Sequence, residues 1–157
     1  MLGTSFDDIY DVFLTYVIDE VEWINPYDDE TEQEHIERIQ SKLDSLIMLA
    51  LPKVHGLQHS KETDRYGRCF LEVLNDKEID IVALCMLREY YRSKLNFIVT
   101  LKHNYSDKFW KSHDKSAMTN QYRQMIKETE LEIRNAIIDL SYYDGDTGKF
   151  NGWAGGK

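Results

Sequence analysis

The sequence predicts an all-α fold: a helical bundle with two long helices, shorter N-terminal helices and an extended C-terminal tail. Apolar residues return every three or four positions along most of the chain, and no stretch alternates with the period of two that a half-buried strand requires. The two prolines, Pro26 and Pro52, fall between helical stretches rather than inside them.

Phe6, Ile9, Tyr10, Phe13, Tyr16 and Val17 hold a helical spacing from Phe6 to Ile18, with Thr4 or Ser5 as the cap. Asp7 and Asp8 then lie in the first turn, where the helix dipole favours anions. Asn25-Pro26 and the acids after it form a connection. A second helix runs from Glu30 to Leu51, with Ile36, Ile39, Leu43, Leu46, Ile47 and Ala50 on one stripe. Pro52 cannot donate its amide, so the helix ends or kinks there.

Lys53 to Asn75 reads as a polar connection broken by Gly56 and Gly67, with at most a short helix near Phe70. Asn75 and Glu78 form an Asn variant of the capping box and start a helix running from Asp76 to about Lys102. This helix is apolar on most sides between Ile79 and Leu87, which marks it as the central, most buried element. A last helix runs from Ser116 to Leu140. There Met118, Tyr122, Met125, Thr129, Ile133, Ala136 and Leu140 form a seam for packing along another helix, and Glu130 is spaced to pair with Arg134. We single out Tyr122, Met125, Ile133 and Leu140 as a subunit packing seam, because a single small bundle offers them too few partners.

At 157 residues the chain is one domain with room for a real core. Residues 1–142 are assigned to the bundle and 143–157 to the tail. No run of about 18 apolar residues is present, so no membrane span is expected, and no secretory signal pattern opens the chain. Cys69 and Cys85 fit a reducing compartment without a disulfide framework, and Cys85 inside IVALCML reads as a small buried hydrophobe.

The net charge of −9 is uneven: the first 34 residues hold eleven Asp and Glu and no Lys or Arg. A chain built to grip phosphates shows the reverse balance. Two readings stay open for this acidity. One is a solvated face that aids solubility; the other is a surface that meets a basic partner or lets DNA slide past.

The tail, SYYDGDTGKFNGWAGGK, holds five of the eight glycines, so ordering it costs much backbone entropy. It also carries Tyr142, Tyr143, Phe150 and Trp153, the composition of a strip that docks onto another surface. A loose terminus with chance aromatics is the plainer alternative.

Signals for chemistry are weak. His55 and His59 are four apart but lie beside Gly56 and Ser60, with no further ligand spaced to complete a zinc tetrahedron. Asp144-Gly145-Asp146 opens like a calcium loop, but its Gly comes one position early and no Glu closes it, so a turn is the reading. Asp28 and Asp29 sit in a solvated, charge-rich stretch unsuited to a raised catalytic pKa. No phosphate loop or nucleophile elbow is present. No enzyme activity and no cofactor or metal is therefore expected. Between Lys102 and Lys115, four lysines and two histidines alternate with Tyr105, Phe109 and Trp110. That mixture suits base stacking, or a loop that packs its aromatics under the bundle with its lysines outward.

The order of segments resembles the small head–tail connector (adaptor) proteins of tailed bacteriophages that infect Gram-positive hosts. The matching stretches are the opening helix from Phe6 to Asp19, the run Leu43-Asp-Ser-Leu-Ile-Met-Leu-Ala-Leu-Pro-Lys53, and Asp64-Arg65. They continue with Leu74-Asn-Asp-Lys-Glu-Ile-Asp-Ile-Val-Ala-Leu84 plus Met86 and Tyr90, then Asp107-Lys-Phe109, Thr129-Glu-Leu-Glu-Ile-Arg134 and Ser141-Tyr142. The likeness reaches about Tyr143. It departs from the family pattern in an insertion around Trp23 to Glu32 and in the tail beyond Tyr143. The resemblance implies a structural virion protein forming a ring, usually twelve-fold, between the portal and the tail or stopper proteins. The ring extends the DNA channel without specific DNA binding, and C-terminal segments reach the portal or a neighbouring subunit. The alternative from another class is an acidic helical adaptor that binds a regulatory or DNA-processing partner in the cytoplasm.

Overall fold

The computed structural model describes residues 3–18, 27, 29–104 and 112–142. Among them the chain is mostly helical, with four α-helices and one two-stranded sheet. Helix α1 spans Phe6–Tyr16 and α2 Glu32–Ala50, followed by a 3₁₀ turn at Leu51–Lys53. Strands β1 (Thr63–Asp64) and β2 (Cys69–Phe70) come next, then α3 (Asp76–Asn104) and α4 (Ser112–Ser141).

Each helix starts where its residues can satisfy the free amides of a first turn. Ser5 caps α1, accepting from the Asp7 amide at 3.2 Å, while the Asp8 carboxylate accepts the Ser5 amide at 3.2 Å. Thr31 and Glu34 do the same for α2, which starts at Glu32, two positions later than the expected Glu30. Such caps are each worth about 1 kcal/mol. Pro52 sits in the 3₁₀ turn that closes α2, where its missing amide is harmless. The start of α3 is capped by Asn75, whose side chain accepts from the Glu78 amide at 3.1 Å.

At 29 residues, α3 is about 43 Å long at 1.5 Å per residue. Every residue from Ile81 to Tyr91 is buried, so α3 is the central element. Helices α1, α2 and α4 all pack against it. The edge-on ring pair Phe13–Tyr90, with centroids 6.2 Å apart, joins α1 to α3. Tyr91 and Tyr122, 6.2 Å apart, join α3 to α4. Between α1 and α2, the Tyr10 hydroxyl donates to Asp44 at 2.7 Å; burial first and this hydrogen bond second push the phenol pKa up.

The short helix expected near Phe70 is not formed. Residues 63–70 make an antiparallel hairpin instead, with Thr63 opposite Phe70 and Asp64 opposite Cys69. Its turn is set by Asp64, which accepts the Tyr66 amide at 3.0 Å, and by Arg68 at φ 50°. Strands of two residues are too short to display alternation, so the period-two criterion could not reveal them. The far edge of β2 is covered by the N-terminal segment. Phe70 donates to the Thr4 carbonyl at 2.8 Å, Phe6 to the Arg68 carbonyl at 2.9 Å, and Thr4 to the Glu72 carbonyl at 3.1 Å. Gly3 is required there, since a Cβ would lie 1.6 Å from the Phe70 carbonyl oxygen.

Candidate interaction surfaces

Glu78 begins as a capping residue and ends as the knot of one end of the molecule. Its side chain is fully buried. It accepts from the Asn75 amide at 3.0 Å, the Gln58 and His59 amides at 2.8 Å each, and lies 2.7 Å from the His59 ring Nδ1. Burial alone would raise its pKa; the hydrogen bonds from His59, Asn75 and Gln58 outweigh burial and hold the carboxyl below the usual range. The loop so fixed also reaches α4, because the Gln58 side chain donates to the Leu140 carbonyl at 3.0 Å. Gly56, at φ 77°, lies against Ile137 on the same helix. The start of α3 and the end of α4, where residues 143–157 depart, are thus tied through one loop. His59 therefore has a carboxylate partner, and His55 Nδ1 lies 3.0 Å from the Lys53 carbonyl. Among the described residues no group of three or more His, Cys, Asp or Glu is placed to hold a metal.

A second polar cluster lies midway along α3. Glu89, 5% exposed, pairs with Lys53 of the 3₁₀ turn, with Arg88 at 3.1 Å and with Arg92 at 3.0 Å. Arg92 continues to Glu130 of α4 at 2.8 Å. Glu130, spaced to pair with Arg134, thus reaches across to another helix. Burial works against the Glu89 anion, yet Lys53, Arg92 and Arg88 together keep its pKa low. The cluster pins α3, α4 and the 3₁₀ turn in one register, since leaving any buried member alone is costly.

The premise that Tyr122, Met125, Ile133 and Leu140 lack partners within the chain is corrected by their packing. Ile133 and Leu140 are buried, and Tyr122 and Met125 pack half-buried against the same core. The seam faces α3 of its own chain. Of the tail residues, Tyr142 is described and 49% exposed, with its amide donating to the Asp139 carbonyl at 3.2 Å. Tyr143, Phe150, Trp153 and the Asp144–Asp146 turn lie outside the described residues. So do Asp28, Trp23 and the aromatics Tyr105, Phe109 and Trp110 of the basic stretch; Asp29 is exposed.

Among the exposed apolar side chains, two surfaces lie on the long helices. One is a groove of about 450 Å³ between α2 and α3, floored by Leu46, Leu49, Tyr90 and Phe97 and flanked by Lys42 and Lys94. Leu49 and Phe97 are 50% and 63% exposed. The other is the outer face of α4, where Leu131 and Ile138 are 55% and 45% exposed. Sequence periodicity misses both, because each is a minority stripe on a helix whose main stripe faces the core. Acidic side chains are exposed as well: Asp7, Asp8 and Asp11 of α1 and Glu32, Glu34 and Glu37 of α2.

No described helix is long and apolar enough to cross a membrane. Comparison with protein-family models, characterised proteins and solved structures finds no match.

Proposed function

We propose that this chain is a structural head–tail connector of a tailed bacteriophage: a helical bundle that joins copies of itself into a ring, usually twelve-fold, between the portal and the tail or stopper proteins. Its role is to extend the DNA channel and to offer a platform, with no reaction catalysed. It belongs to the virion neck and passes through the host cytoplasm during assembly. The observation that carries this reading is the acidity of the N-terminal part of the chain. Six carboxylates are exposed on α1 and α2, and the first 34 residues hold no Lys or Arg, a balance that disfavours a phosphate backbone, as a passage for DNA requires. Three further features support it. Of the stretches that resemble connector proteins, Leu43–Lys53 falls on the end of α2 and the 3₁₀ turn, and Leu74–Leu84 on the start and buried centre of α3. The last helix ends beside the Gln58–Glu78 loop, so a tail rich in Gly and aromatics leaves from a fixed root. Apolar side chains remain exposed on two sides of the chain.

Imaging of particles that contain this chain tests the proposal. A closed ring of copies beside the portal is the expected result, and a single copy attached to an enzyme overturns it. The second reading, an acidic adaptor for a regulatory or DNA-processing partner in the cytoplasm, rests on the same acidity and predicts that single-copy complex.

A further inference from the structure

The two exposed apolar surfaces lie where one copy cannot bring them together. Helix α4 meets α3 through Tyr91 and Arg92, with Tyr122 and Glu130 opposite. Tyr90 and Phe97, seven residues apart and so on one side of α3, floor the groove toward α2. On α4, Leu131 and Ile138 stand at i and i+7, on the face opposite Tyr122, Ile133 and Leu140, and Tyr142 follows in the turn just past the helix end. That outer face therefore looks away from α3, and the groove opens on another side of it.

We infer that the outer face of α4 in one copy seats in the α2–α3 groove of the next, as the head-to-tail contact of the ring. The inference rests on the ring reading for its closure, but the contact itself rests on shape and charge. Among the described residues the groove lining contains two lysines and no carboxylate. The α4 stripe is flanked on one side by the exposed acids Glu128 and Asp139, which suit Lys42 and Lys94. On its other side stand the exposed bases Lys127 and Arg134, which suit Glu37 on the outer side of α2. An amphipathic helix in a groove anchors through side chains at this spacing. Leu131 to Ile138 spans about 10 Å and Ser41 to Leu49 about 12 Å, so the helical knobs fit within the length of the groove.

Area sets the strength. Leu49, Phe97, Leu131, Ile138 and Tyr142 are each about half exposed, and a whole aromatic side chain buries roughly 150–250 Å². The pair of faces then hides on the order of several hundred Å², short of the roughly 1,200–2,000 Å² of a stable interface. Dilute protein is thus mostly monomeric; the contact forms transiently on encounter and persists when copies are held side by side. When the two patches engage different neighbours, such a contact closes into a ring or runs on as a filament; a reciprocal pair would instead make a two-fold dimer.

Site-directed linking tests this on the full chain in a Cys69→Ser background. Leu49→Cys protein mixed with Ile138→Cys protein should form a disulfide-linked pair at least tenfold faster than either protein alone. It should also outpace Leu49→Cys mixed with Tyr66→Cys, which places the thiol on the hairpin tip. Lys42→Glu with Lys94→Glu should slow linking, and Glu128→Lys with Asp139→Lys in the partner copy should restore it. Equal rates for all pairs, or no restoration by the charge exchange, overturn the inference. So does a Leu49→Cys, Trp153→Cys double variant that links within one chain faster than between chains, since the groove then belongs to the chain's own tail. The two readings fail separately. A ring in particles with the Leu49 and Ile138 thiols unlinked removes this contact and keeps the connector. Fast mixed-pair linking in particles without a ring keeps the contact and removes the connector.

Discussion

Glu78 is buried completely and still ionised because four donors converge on its two oxygens. Replacing it with Gln keeps the shape but turns one acceptor into a donor aimed at other donors, in a site without water access. We expect Glu78→Gln to cost about 3 kcal/mol, the order seen when one member of a buried charged group is lost. That corresponds to a melting temperature lower by about 6–12 °C in a chain of this size. His59→Ala should cost less, about 1 kcal/mol, since the backbone amides of Gln58 and His59 remain. Glu30, Glu34, Glu78 and Glu89 all have carboxyls held below the ordinary value of 4.5, Glu30 down to about 2 chiefly by the Arg38 guanidinium. A lowered folded pKa means that the unfolded chain takes up the proton first. The stability these groups contribute is therefore whole above about pH 5 and is lost as pH falls from about 4.5 toward 2. Urea midpoints measured across pH 7 to 2 should stay level and then decline through that window; a midpoint that rises on acidification would contradict the assignment.

At the scale of elements, capping was legible because it is local. Asn75 with Glu78, Thr4 or Ser5, and the stop at Pro52 are all read from residues within four positions of each other. The hairpin was not legible, since its two-residue strands are too short to show alternation, and the Thr4 segment that covers it meets Phe70 and Glu72 across more than sixty residues. The second role of Glu78 was hidden for the same reason: its partner His59 is 19 residues away along the chain. Periodicity located the apolar stripe of α4 correctly but could not say which chain would cover it. The N-terminal segment gives the test at this scale. A methyl group at Gly3 meets the Phe70 carbonyl oxygen, a backbone atom that cannot swing aside. Gly3→Ala should therefore open the Thr4–Phe70 pairing and lower stability by about 2–3 kcal/mol. Faster exchange of the Phe70 amide hydrogen would locate the damage. Wild-type exchange at Phe70 in the variant would show that the segment is held elsewhere.

For the whole molecule, among the described residues α3 is covered by α1, α2 and α4, and Leu140 is already buried at the end of α4. Truncation after Tyr143, or Trp153→Ala, should leave the melting temperature of the isolated protein within about 2 °C of wild type. The same changes should weaken joining to the portal or to the adjacent copy, seen as heads that lack tails or leak DNA. Unfolding on truncation would make the tail part of the core, and normal assembly would make it an idle terminus.

The tie between Gln58 and Leu140 has a mechanical consequence. Tension applied beyond Tyr142 does not have to peel α4 from its end. It passes from the Leu140 carbonyl through Gln58 to the Glu78 carboxylate, and from there into the first turn of α3, the best-buried helix in the molecule. The load enters the stiffest member near its base, so the root of the tail behaves as an anchored strap rather than a fraying end.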